Sequence, residues 1–169
     1  MSYKDTILPE FDMEMANTRR TLERVPDDKF SWQPHPKSGT LGWLANHLAN
    51  MPAWTVMTMK EDSLNLAPAD GSRVSMPTAS NRKELLEIFD KNHADARAAL
   101  SSADDATYAQ PWALLMGETE LFCEPRAAVL RRMVFNHIIH HRGQLTVYFR
   151  LLDVPVPGLY GPSADEQKF

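Results

Sequence analysis

Between Pro125 and Pro155 no proline interrupts the chain, and Leu130, Val134, His137, His141, Leu145, Tyr148 and Leu152 recur at steps of three and four. That period lines up one face of an α-helix. Pro125 suits a first helical position, where its missing N–H would be unbonded in any case, and Pro155 and Pro157 stop the helix. A long helix with one apolar face has to bury that face against other elements, so this segment constrains the fold more than any other.

Three more segments read the same way. Residues 5–25 carry Ile7, Leu8, Phe11, Met15, Leu22 and Val25 at helical spacing, with Asp5 or Thr6 as the cap and Pro26 at the end. Thr40 caps a second helix over 41–60, whose stripe is Leu41, Leu44, Leu48 and Met51; Pro52 within it predicts a kink or a break. Asn81 with Glu84 resembles a capping box at the head of a third helix over 81–101. The stretch 30–39 reads as an ordered loop anchored by Phe30 and Trp32. Residues 61–80 have no helical period and read as a long crossover, a length that is uncommon in compact domains and often functional. Residues 102–124 leave a short hairpin around Gly117 or an irregular lid as alternatives, and the tail from Pro157 is expected to drape over the surface. With no convincing sheet, the expectation is an all-α fold, a four-helix bundle with one long crossover connection, as a single domain over 1–169.

Composition narrows the function. A chain of 169 residues, 43% of them hydrophobic, can bury one proper core. The formal net charge of -4 does not attract a phosphate backbone over long range, which argues against a nucleic-acid partner. The single cysteine, Cys123, allows no internal disulfide. With no secretory pattern at the start and no apolar run of membrane-spanning length, a cytoplasmic protein without a membrane partner is expected.

His137, His140 and His141 are the residues most suited to chemistry. Positions 137 and 141 stack one turn apart and can point at a common ion, whereas His140 turns toward the edge of that face. Neutral imidazole is a good ligand for zinc, nickel, iron or copper. On spacing alone the pair fits equally a set of core histidines satisfied by the backbone. His47 lies beside the buried side of the second helix, where an imidazole without a partner would pay for its desolvation. Metal sites in bundles are built from facing helices, so inward histidines on two helices favour the ion.

The segments Leu41-Gly42-Trp43-Leu44-Ala45-Asn46-His47-Leu48-Ala49 and His137-Ile138-Ile139-His140-His141-Arg142-Gly143-Gln144-Leu145, with the ending around Tyr148–Pro157 and Tyr160-Gly161-Pro162-Ser163, resemble the DinB/YfiT-like superfamily of metalloenzymes. The resemblance implies a four-helix bundle with a long crossover and a three-histidine site, carried over by position to His47, His137 and His141. It further implies one divalent metal ion, zinc or nickel before iron or manganese. A homodimer and a small-molecule substrate are also implied, with a low-molecular-weight thiol as cofactor where members act as transferases or isomerases. A metal-dependent hydrolase and a non-catalytic, stress-related metal-binding dimer are the alternative readings.

Other residues carry less. Tyr148 reads as a core tyrosine with a satisfied hydroxyl before it reads as pocket lining. Asp165 and Glu166 read as solvated acids, and Cys123 as an inert buried thiol. Gly143 in the fourth helix predicts a close helix contact, within the bundle or between subunits, that offsets its cost of about 1 kcal/mol relative to alanine.

Overall fold

The computed structural model describes residues 2–72 and 74–167; Arg73 in the crossover and the last two residues of the tail lie outside them. Four long helical stretches form the bundle: α1 (Tyr3–Leu22), α2 (Leu41–Lys60), α3 (Arg82–Ser102) and a final one that the chain builds in three pieces. Those pieces are α5 (Arg126–Val129), a π-helical turn (Leu130–Phe135) and α6 (Asn136–Leu151). A short α4 (Asp105–Ala109) precedes α5. Helix α3 packs on α1 and α2, and α6 packs on the same two helices from the other side. The core between them is made by Phe11, Met15, Leu44, Leu48, Leu85, Phe89, Val134, Ile138, Leu145 and Phe149, all buried.

Local chemistry explains most helix ends. Helix α2 starts where three donors that a helix cannot bond internally all find acceptors. Leu41 N donates to Trp32 O at 2.8 Å and Gly42 N to Phe30 O at 2.9 Å. Trp43 N donates to Thr40 Oγ1 at 3.1 Å. The loop 30–39 is therefore laid on the first turn of α2, which demands glycine at 42: a Cβ there would meet Phe30 O at 2.8 Å. Trp32 packs edge-on against Tyr148. At the far end of α2, buried Arg126 donates to the carbonyls of Thr58 and Glu61 and to Asp62 Oδ1, capping the helix with a cation. Pro52 does not break α2, which runs through it. At α3, Asn81 Oδ1 accepts from Glu84 N at 3.0 Å as expected. The return bond goes elsewhere, since Glu84 Oε2 accepts from Ser80 N. Helix α1 starts earlier than its apolar pattern does, with Ser2 as cap and Asp5 accepting from Ser2 N at 2.9 Å.

Of the two alternatives for residues 102–124 the structure takes the hairpin, and a strand from the crossover, which no pattern suggested, joins it in a small sheet beside the dominant helices. β1 (Ser63–Asn65) pairs in parallel with β2 (Pro111–Met116), and β2 pairs antiparallel with β3 (Thr119–Pro125). Gly117, at φ +62°, takes the first central position of the hairpin turn, where a β-carbon would be strained. The strands are short and two come from segments without clear alternation, which is why their pattern was hidden. Pro125 ends β3 and precedes the helix instead of opening it.

The final helix carries the larger correction. The stripe read at regular α spacing put His137 and His141 on the face toward the bundle centre. The residues buried there are Leu130, Val134, Ile138, Arg142, Leu145 and Phe149. The π turn is the physical reason: it holds one residue more than an α turn, so the buried face slips by one position, about 100° of rotation. His137 and His141 move to the flank and become half-buried, and His140 is exposed.

The tail is tied down more firmly than draping implies. Asp165 pairs with Arg150 and accepts from Val156 N. Glu166 pairs with Arg20 and Arg24 and accepts from Gly158 N. These acids are structural clamps and not free solvated charges. Cys123 is exposed, contrary to the buried thiol expected. Gly143 is also exposed, and a Cβ there would meet no atom within 4 Å, so no close contact inside the bundle requires it.

Candidate metal centre

The flank of α6 exposed by the π turn faces α2. His47, on α2, meets His137 and His141 there. Each of the three offers a ring nitrogen, and these nitrogens all lie within 4.8 Å of one another. His47 Nε2 and His137 Nε2 are 3.5 Å apart. Ring centroids are separated by 4.6 Å for His47 and His141 and by 4.5 Å for His137 and His141. Three nitrogens held about 2.0–2.1 Å from one zinc ion would sit about 3.4 Å apart in a tetrahedron. The donors are thus pre-gathered, and three borderline-soft nitrogens are a set that zinc, nickel, iron and copper all accept. Among the described residues no cysteine or carboxylate joins this cluster.

The rings are held in the form that a metal needs. His47 is pushed down to a pKa of about 4, first by burial and then by the neighbouring His141 and His137. His137 is also lowered, first by burial and then by His141, against an opposing hydrogen bond with the Met133 backbone in the π turn. Neutral imidazoles keep a lone pair for an ion. His141 Nδ1 lies 2.7 Å from Gln144 Oε1, so its N–H donates to that amide oxygen and Nε2 is left as the free lone pair. Two tryptophans wall the cluster. Trp43 stacks face to face on His47, with centroids 5.3 Å apart and planes 6° apart, and presents an edge to His141. Trp54 stands edge-on to His137.

Beside the cluster lies a cavity of about 670 Å³ between α2 and the crossover, reached at the His47 ring. Its far wall is the run Met76–Ala79, held against α2 by two amides. Asn46 Oδ1 accepts from Ala79 N at 2.7 Å, and Asn46 Nδ2 donates to Ala79 O at 3.0 Å. Asn50 Nδ2 donates to Pro77 O at 2.9 Å.

All three histidines singled out in the sequence come together, and His140 stays outside. Tyr148 is anchored by its hydroxyl to Gly39 O at 3.2 Å and holds the loop before α2, as a core tyrosine would. Several contributors were missed. Gln144 is three residues past His141, a spacing that brings side chains together on a helix and was legible. Trp43 precedes His47 by one turn, with the same signal. Arg142 had none: a charged side chain 1% exposed reads as a surface residue until its partners are known. It donates to Glu14 O and Thr18 Oγ1 and pairs with Glu14, itself 3% exposed, whose carboxylate also accepts from Tyr160 OH. The segment from His141 to Gln144 therefore alternates jobs: His141 faces the cluster, Arg142 bolts α6 to α1 and the tail, and Gln144 sets the His141 ring.

Comparison with known proteins agrees with this geometry. The chain is 26% identical to YrdA of Bacillus subtilis over 163 residues, covering 96% of this chain and 90% of that one. Its fold matches the crystal structure of a DinB-like protein from Bacillus cereus with a TM-score of 0.71 at 24% identity, over 94% of this chain and 98% of the other. A second DinB-like structure, YjoA from Bacillus subtilis, superposes with a TM-score of 0.66 at 18% identity, over 96% and 99% of the two chains. The DinB superfamily pattern itself matches residues 10–145, from within α1 to Leu145 of α6, and the chain belongs to that superfamily.

Proposed function

We propose that the chain binds one divalent metal ion through His47, His137 and His141, and that this centre serves an enzyme of the small-thiol S-transferase type. The observation that carries the reading is the convergence of three imidazole nitrogens with no fourth protein donor among the described residues. Structural zinc sites usually fill all four positions from the protein, so three ligands favour a catalytic site. A bound ion there would supply Lewis acidity, holding a thiol or water in its deprotonated form near neutral pH.

The protein's own groups favour the thiol over water. A glutamate base assists the attacking water in the metalloprotease type of zinc hydrolase, and neither the cluster nor the cavity wall presents a carboxylate among the described residues. A coordinated thiol needs no such base, because coordination deprotonates it outright. Burial keeps His47 and His137 neutral, Gln144 keeps the His141 N–H turned away, and Trp43 and Trp54 limit water around the rings.

Metal analysis of protein purified without a histidine tag tests the first half of the reading. One equivalent per chain is expected, falling to a trace in His137→Ala; unchanged content in that variant would refute the ligand set. For the second half, an electrophile is offered with a panel of small thiols. A metal-dependent rate that needs thiol supports the transferase, and an equal rate without thiol assigns hydrolysis.

A further inference from the structure

We propose that the cavity between α2 and the crossover is the binding site for the electrophilic substrate, and that this substrate is an uncharged, mainly apolar molecule with one polar end directed at His47. The proposal rests on the metal-centre reading for the role of that polar end, but the recognition chemistry is a property of the cavity alone.

The wall exposes more carbon than polar surface, and its polar residues are all uncharged amides, threonines and His47. Trp43, Trp54, Met57, Leu64, Leu66 and Met76 line it, and among the described residues no Asp, Glu, Lys or Arg does. The amides in the wall look like recognition groups but are already committed. Asn46 spends its oxygen on Ala79 N and its amino group on Gly42 O and Ala79 O. Asn50 donates to Asn46 O and Pro77 O. Asn65 donates to Gly117 O and accepts from Ala67 N and Gly117 N. Thr40 Oγ1 accepts from Trp43 N. Away from the His47 end, a charged group would find no countercharge in the wall among the described residues and few free hydrogen-bond partners, and such a transfer from water is strongly unfavourable.

An apolar ligand gains instead. The volume of about 670 Å³ falls within the range of sites that engulf drug-sized molecules. The ring of His47 is the place where cavity and metal cluster meet, since it belongs to both. A molecule lying in the cavity can therefore offer its polar, reacting end only there. His137 and His141 do not line the cavity, which leaves their side of the cluster as the approach for the thiol.

A matched pair of fluorescent probes tests the recognition. Phenylnaphthylamine is neutral, and anilinonaphthalene sulfonate carries the same aromatic body with a sulfonate. Both are titrated into zinc-loaded and chelator-treated protein. Neutral probe binding at micromolar concentration, with the sulfonate weaker by about tenfold or more, is the expected result, because desolvating an unpaired anion costs at least that much. Leu66→Asp should weaken the neutral probe by about tenfold or more while metal content stays at the wild-type level, and Leu66→Met should retain binding. Leu66 is 41% exposed, so the chain can accept the change. Equal or tighter binding of the sulfonate overturns the uncharged class. Neutral binding indifferent to Leu66→Asp overturns the cavity as the site. Failure of the metal reading appears separately, as absent metal in the unmutated chain with probe selectivity intact.

Discussion

Replacing Arg142 with methionine probes the tie between α6, which carries His137 and His141, and the rest of the bundle. Methionine keeps most of the apolar stem, so the change mainly removes the guanidinium. Glu14 then remains in the core, 3% exposed, with Tyr160 OH as its only remaining side-chain donor among the described residues, and Thr18 Oγ1 loses a partner. Breaking a buried pair by removing one member typically costs about 3–5 kcal/mol, and the surviving Tyr160 bond places this site toward the lower end, about 3–4 kcal/mol. For a chain of this size each kcal/mol moves the melting temperature by about 2–4 °C, so a fall of about 6–16 °C is expected. The assay is urea unfolding with chelator present, since bound metal would stabilise the native state independently. The double variant Glu14→Met/Arg142→Met removes both charges and should recover most of the loss, to within about 1 kcal/mol of the parent. A single-variant loss below about 1 kcal/mol would refute the reasoning, as would a double variant as unstable as the two singles added.

Gln144→Ala should lower metal affinity by about tenfold to a hundredfold, because the His141 ring loses the acceptor that fixes its tautomer; competition against a chromophoric chelator reads this, and unchanged affinity would remove Gln144 from the site. The metal-free chain should lose stability in acid. The His47 pKa is depressed from 6.5 to about 4 by burial and its two histidine neighbours, so its contribution is complete above pH 6.5 and disappears as the pH falls through about 4. His47→Gln should flatten the stability profile in that window, and an unchanged profile would dismiss the assignment. The exposed side of α6, with Gly143, Val147 and Leu151, is the face on which a homodimer is proposed; light scattering at micromolar concentration should give twice the chain mass, and a monomer mass would end that proposal.

Local signals carried a large share of the fold. Thr40 and Asn81 sit where caps are needed, and the stripes of the first two helices predict residues that prove buried, such as Phe11, Leu44 and Leu48. Side chains of this kind act within a turn or two of chain, which is the range over which a linear pattern is informative. The sheet was harder to see because β1 is only three residues long and owes its pairing to β2, a segment far along the chain. The exposure of Cys123 follows from the same hairpin.

Residue type and spacing made the histidines candidates, but only the resemblance of the segments around them to the DinB/YfiT-like superfamily picked His47, His137 and His141 as a ligand set over core histidines. Their meeting was a tertiary outcome. The π turn at Leu130–Phe135 shifts the buried face by one residue, turning Arg142 into the core and bringing His137 and His141 to the flank that faces α2. No local propensity demands that turn; it persists because Arg142 finds Glu14, Thr18 and Tyr160, all distant in sequence. The cavity has the same origin, because Asn46 and Asn50 become structural clamps only once the crossover lies against them. Short-range stereochemistry thus decided the helices and the donors, and long-range burial decided which way they point.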